Sequence, residues 1–223
     1  MFRKPLITLG IACALGTAGS ANAQESSPPP APPGVQGRIV KMITPIFSQL
    51  MVLTYPQGFQ PVYEKTNGNF YIHEFVPVGE SLNGWTRMMT ITGFKDLAMR
   101  PDLSPKAVFT NIATAVKAKC PSSFSVQGIG EGKLGGYDAY VAIMSCGIST
   151  AAGGKSSESA LVAAIKGQAD YYTLQWAERA APSEQPLPID VHAWAEKAKL
   201  IGQIKFCPRI PGEKPPYPSC VGL

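Results

Sequence analysis

The chain has 223 residues, of which 45% are hydrophobic and 16% charged, and its 20 basic side chains against 15 acidic ones give a net charge of +5. A chain of this length buries one ordinary core, so one domain is expected. The lysines and arginines are scattered singly rather than gathered in runs or on one face, which argues against a nucleic-acid partner.

The chain opens on the positive residues Arg3 and Lys4, followed by an apolar run from Leu6 to Ala18 that is too short to cross a bilayer. Ala21 and Ala23 around Asn22 form the A-x-A pattern of a signal-peptidase site, so residues 1–23 read as a signal peptide cut after Ala23. A lipoprotein acylated at Cys13 is the competing layout, but Gly10 stands where a lipobox carries Leu. No later segment approaches the ~20 apolar residues of a membrane span, so the mature chain carries no integral membrane segment. Residues 24–37 are Pro-rich and predict an extended linker.

Residues 38–206 then predict an α+β domain. Strands are expected at Phe47 to Tyr55, Gln60 to Thr66 and Phe70 to Val76, with Asn67-Gly68 as the tight turn between the last two. Another is expected at Arg87 to Phe94. Ser104 is an N-cap and Pro105 fits the first helical position, with Val108, Ile112 and Val116 on one face of a helix that stops at Cys120, before Pro121.

Tyr137 to Gly147 reads as a central strand and Asp170 to Arg179 as the second arm of a hairpin. With Gly167-Gln168 as a two-residue turn, Lys166 opposes Ala169, Leu161 opposes Leu174, Ala163 opposes Tyr172 and Ser159 opposes Trp176. A second helix is expected from Val191 to Lys205, with Asp190 as N-cap, Ile189 packing on Trp194, and a buried stripe through Ala198, Ile201 and Ile204. Residues 207–223 read as an irregular Pro-rich tail. The expected architecture is an antiparallel sheet built from hairpins, with two main helices packed on it.

Downstream of residue 23 stand Cys120, Cys146, Cys207 and Cys220, an even number that suits an oxidising compartment. Of the three pairings, Cys120 with Cys146 and Cys207 with Cys220 join near neighbours, and the second bridge ties the tail. The spacing holds no C-x-x-C, and His73 and His192 lie far from the cysteines, which speaks against a zinc site.

The segment Tyr55-Pro56-Gln57-Gly58-Phe59 after the first strand, hairpins before a helix, the Gly167 to Trp176 arm and a closing helix together resemble the Mog1/PsbP-like group of small α+β domains, including exported bacterial proteins of the DcrB type. The resemblance covers about residues 47–206. It implies a non-enzymatic accessory or binding module and transfers no functional residue.

Gly130 to Gly135 matches G-x-G-x-x-G, but a strand follows where a dinucleotide site needs a helix, so a β-turn is expected there. Gly153-Gly154-Lys155-Ser156 resembles the end of a P-loop, with Ser149 in place of the first glycine, and reads as a loop. His73 and Glu74, adjacent on a strand, point to opposite faces. His192 and Glu196 fall one helical turn apart and read as a surface pair. No G-x-S-x-G elbow occurs.

No catalytic, cofactor or metal residue is therefore assigned and no cofactor is expected. Tyr71, Trp85, Tyr171, Trp176 and Trp194 could stack on a sugar or a peptide if exposed; periodicity assigns Trp176 and Trp194 to the core, and Tyr71 and Trp85 are the candidates for binding. The expected function is that of a periplasmic accessory or binding module without catalysis, partnered by an envelope protein or another cell-envelope component. The competing readings are an envelope-directed hydrolase, using carboxylates drawn from Glu64, Glu74, Glu80, Asp96 and Asp138, and a secreted inhibitor or effector.

Overall fold

A computed structural model describes residues 39–149 and 154–221, with the backbone alone at Ile39 and Leu200. The signal peptide, Cys13 and the Pro-rich linker lie outside the described residues, as does Gly153.

Ten strands form two antiparallel sheets. The smaller has the order β1-β2-β10, from β1 (Ile39–Ile46), β2 (Gln49–Pro56) and β10 (Ile204–Pro208). The larger has the order β3-β4-β5-β9-β8-β7-β6, from β3 (Phe59–Asn67), β4 (Phe70–Pro77), β5 (Arg87–Phe94), β6 (Phe124–Leu134), β7 (Tyr137–Ser149), β8 (Ser156–Lys166) and β9 (Tyr171–Ala180). The helices are α1 (Pro105–Lys117), α2 (Ala195–Gly202) and the short α3 (Pro218–Val221). This is an α+β architecture of hairpins, divided between two sheets rather than one.

Period-2 alternation sets the two faces of the large sheet. Tyr71, Phe75, Ile91, Leu161, Leu174 and Trp176 face the small sheet, where Met51, Leu53 and Phe206 join Ile201 of α2 and the neighbouring Trp194 in one core. Ala142, Ala160, Val162 and Ala164 face the other way and pack with Val108, Phe109 and Ala113 of α1. The small side chains on β7 and β8 let the helix lie close to the sheet. Helix α1 begins as predicted: Ser104 Oγ accepts from the Ala107 N–H at 3.2 Å, and Pro105 opens the first turn.

Several expectations need correction. Residues 39–46 are a strand, and Phe47-Ser48, placed inside the first predicted strand, is the turn between β1 and β2. Phe47 holds φ at 53° there. In the β3–β4 hairpin Asn67 pairs with Phe70, so the turn is Gly68-Asn69 rather than Asn67-Gly68, and Gly68 supplies the positive φ of 57°.

The β8–β9 register is displaced by two residues: Lys166 pairs with Tyr171, Leu161 with Trp176, Ala163 with Leu174 and Ser159 with Glu178. A two-residue slip leaves every side chain on its predicted face. The slip follows from a four-residue loop that the Gly167 N–H closes by donating to the Asp170 carbonyl at 2.9 Å, and that the distant Gln49 Oε1 holds by accepting from the Gln168 N–H at 2.9 Å.

The predicted second helix is shorter than expected. Asp190 caps only a turn, accepting from the His192 N–H at 2.9 Å, and α2 ends at Gly202. Ile204 to Pro208 then pair with β2, because Ile204 and Phe206 alternate toward the core and Cys207 is bridged to Cys220. The glycines from Gly130 onward are not a β-turn: Gly130 to Lys133 lie in β6 at the sheet edge, and the tight turn is Gly135-Gly136, with φ of 58° and 89°. Both outer strands of the large sheet are interrupted by register shifts, β3 between Pro61 and Tyr63 and β6 between Gly128 and Gly130.

Candidate functional site

Helix α1 covers only the β6–β7–β8 half of its face of the sheet. The other half, carried by β4, β5 and β9, floors a cleft of about 760 Å³, within the size range of small-molecule sites. Its walls are Leu82 and Trp85 from the β4–β5 loop, Val116 and Lys119 at the end of α1, and Met144 and Cys146 from β7. The Glu80 carboxylate helps to hold the loop, accepting from the Thr86 N–H and the Thr86 hydroxyl, each at 2.7 Å.

Alternation along β4 puts Ile72, Glu74 and Val76 on the cleft side and Tyr71, His73 and Phe75 on the other. Thr90 of β5 is the register partner of Glu74, and Gln175 of β9 is the partner of Thr90. The row Glu74, Thr90, Gln175 therefore crosses three strands of the floor. On one side of it lies the apolar row Val76, Met88, Ala177. On the other, Thr92 and Thr173 satisfy each other through their hydroxyls at 2.6 Å.

Arg179 lies 3.4 Å from Glu158 and spreads its guanidinium 3.7 Å from the Trp85 ring centroid, so both groups are engaged. Among the described residues no cation lies within ion-pair distance of Glu74. Burial raises its pKa above the ordinary 4.5, and the nearby Glu158 carboxylate adds to the rise.

A carboxylate whose ionised form is disfavoured by the fold costs stability only where it is charged. That cost is absent below the unfolded pKa and complete above the raised folded one. The variant Glu74→Gln is therefore expected to melt a few degrees higher at pH 7, with the gain fading as pH falls through the raised pKa and gone below the ordinary 4.5. Calorimetry across pH checks this, and an unchanged or lower melting temperature at pH 7 would refute it.

The other sequence candidates are dispersed. Trp85 is 6% exposed and forms a cleft wall beneath Arg179. Tyr71 is 4% exposed on the opposite side of the sheet, donating to Glu64 at 2.7 Å, so the two aromatic candidates do not meet. Tyr171, Trp176 and Trp194 are buried. His73 stacks on Phe75 at 4.1 Å, and burial lowers its pKa against the opposing pull of Glu64.

Of the five carboxylates named for a hydrolase only Glu74 reaches the cleft, where the sequence did not single out its companion Glu158. Asp138 pairs with Lys133 at 2.7 Å, and the Asp96 N–H donates to Asp170. His192 is exposed in the turn before α2, while Glu196 pairs with Lys199 at 2.6 Å. Among the described residues no three His, Cys, Asp or Glu side chains are grouped to hold a metal ion. The structure carries the two bridges Cys120–Cys146 and Cys207–Cys220, and the first joins the end of α1 to the cleft wall on β7.

No family model matches the chain, and a search of curated proteins finds no match. Among solved structures the chain is similar to the Ran-binding protein Mog1p of Saccharomyces cerevisiae, at 10% identity and TM-score 0.45, over 75% of this chain and 95% of that one. It is also similar to cyanobacterial PsbP from Synechocystis, at 9% identity and TM-score 0.44, over 73% and 95%. A third is LpqN of Mycobacterium tuberculosis, described as involved in cell envelope biogenesis, at 15% identity and TM-score 0.37, over 76% and 92%.

Proposed function

We propose that this chain is an exported, periplasmic binding or accessory module whose ligand site is the cleft between α1 and the β4–β5 loop. Residues 1–23 are its signal peptide, residues 24–37 a Pro-rich linker, residues 38–206 the domain and residues 207–223 a bridged tail. Two disulfides suit an oxidising compartment. The single observation that carries the binding reading is the half-covered sheet face: a concave apolar surface with a few convergent polar groups left open.

The test uses the chain purified from the compartment to which it is exported. Its intact mass without reductant should match a chain beginning at Gln24 and lighter by four hydrogens. Native mass spectrometry against fractionated envelope extract should show a saturable small ligand that is lost in Thr90→Trp, which fills the floor. Equal binding by that variant, or no saturable ligand in any fraction, would refute the cleft as the site.

A hydrolase reading draws on the same cleft, because it holds two carboxylates with different surroundings: Glu74 shifted toward its acid form and Glu158 beside Arg179. Turnover of envelope polymers that disappears in both Glu74→Gln and Glu158→Gln would select that reading over simple binding.

A further inference from the structure

The floor of the cleft separates into groups that are satisfied and groups that are not. Glu158 has Arg179, Arg179 also has the Trp85 face, and Thr92 has Thr173. The row Glu74, Thr90, Gln175 is different: all three side chains line the cleft, and among the described residues none of them makes a side-chain hydrogen bond or ion pair.

Adjacent strands lie ~4.8 Å apart, so the row spans about 10 Å from a carboxylate through a hydroxyl to an amide. A site that leaves such groups open matches a ligand with polar groups at the same spacing, and discriminates against one that would leave them unpaired. The carboxylate end fixes the sign of the ligand there. Among the described residues of the floor the fixed cation is Arg179, which is already engaged, and Lys119 stands exposed on the wall at the end of α1. A positive donor meeting Glu74 would form a charge-assisted hydrogen bond in a half-buried setting.

We propose that the cleft takes a small hydroxylated amine, with its ammonium group on Glu74, its hydroxyl or amide groups on Thr90 and Gln175, and its apolar edge against Met88 and Ala177. This rests on the reading of the cleft as a ligand site and names the chemistry of its occupant. Amino sugars and amino alcohols are the class.

The experiment is a titration of the full exported chain, followed by amide chemical shifts, with glucosamine, ethanolamine and the N-acetyl derivative of each. The amines should shift the β4, β5 and β9 amides saturably and bind at least tenfold more tightly than their neutral N-acetyl forms. Glu74→Gln, which is expected to fold at least as well as the parent, should abolish that preference, and Thr90→Val should weaken binding of the amines severalfold.

N-acetyl forms that bind as well as the amines, or a preference that survives Glu74→Gln, would overturn the proposal. If the neutral sugar alone shifts cleft amides, the cleft remains a ligand site and only the cationic chemistry falls. If neither amine shifts them, the amine proposal falls, while the binding reading is decided separately by the extract experiment with Thr90→Trp.

Discussion

Replacing Asp170 with alanine is expected to cost the domain about 2–4 kcal/mol, through the loss of several hydrogen bonds to one carboxylate acceptor. Asp170 is 1% exposed and ties three chain reversals together. Its Oδ2 accepts from the Ser48 N–H at 2.9 Å and the Ser48 hydroxyl at 2.5 Å, which anchors the β1–β2 turn. Its Oδ1 accepts from the Asp96 N–H at 2.8 Å where the chain leaves β5. Tyr172 donates to it at 3.2 Å, and that phenol is held well above its ordinary pKa, first by burial and then by the Asp170 charge.

Alanine leaves the Ser48 and Asp96 donors without this acceptor, while the Tyr172 hydroxyl keeps the Ile46 carbonyl at 3.2 Å. Ser48→Ala, which removes a single hydroxyl donor, should cost only about 1 kcal/mol. Urea unfolding measures both, with the midpoint falling and the slope unchanged. A loss under ~1 kcal/mol for Asp170→Ala would mean that packing alone holds the three loops.

The second large effect is expected from the bridge between Cys120 and Cys146, which closes a loop with a sequence separation of 26. Replacing both residues with alanine should cost about 3–4 kcal/mol through the freedom restored to the unfolded chain. Cys146 lines the cleft and Cys120 follows the turn that ends α1, so the wall made by Val116 and Lys119 loses its tie to β7 in the same step.

Removing the tail bridge Cys207–Cys220 should cost a similar ~3 kcal/mol, but it packs with Leu50 and Val52 on the small sheet, away from the cleft. The pair of variants therefore separates stability from site integrity. Ligand-dependent amide shifts should weaken severalfold in the first and stay unchanged in the second. Equal weakening in both would show that the bridge near the cleft acts through global stability alone.

What the sequence could disclose followed the range of the interactions involved. Ser104 and Pro105 mark the start of α1 through local backbone chemistry, and the alternation in β9 fixes which residues face the core. Both hold in the structure, and the alternation holds even though the β8–β9 register is displaced, because side-chain direction repeats every two residues. Strand β6 was illegible for the opposite reason. Its glycines carry no strand preference, and only pairing with β7 makes it a strand. Likewise β1 and β10 acquire their meaning from β2, which lies between them.

The candidate site was half legible. Opposite faces for His73 and Glu74 follow from adjacency on one strand. The company Glu74 keeps does not, since Thr90, Gln175 and Glu158 come from three other strands and meet it only once the register of the sheet is known. Nothing in the sequence around Glu158 on β8 marks it as a companion of Glu74; only the folded sheet brings both to one cleft.

The interrupted rims of the large sheet bear on how copies of this protein behave toward one another. A flat, unbroken outermost strand is a template on which a second molecule can continue the ladder. Here Pro61 removes one donor and the chain slips just after it, while the opposite rim breaks its run at Gly128 to Gly130 and carries Glu131 and Lys133 beyond the break. Sideways growth into ribbons is thereby discouraged at both margins of the large sheet.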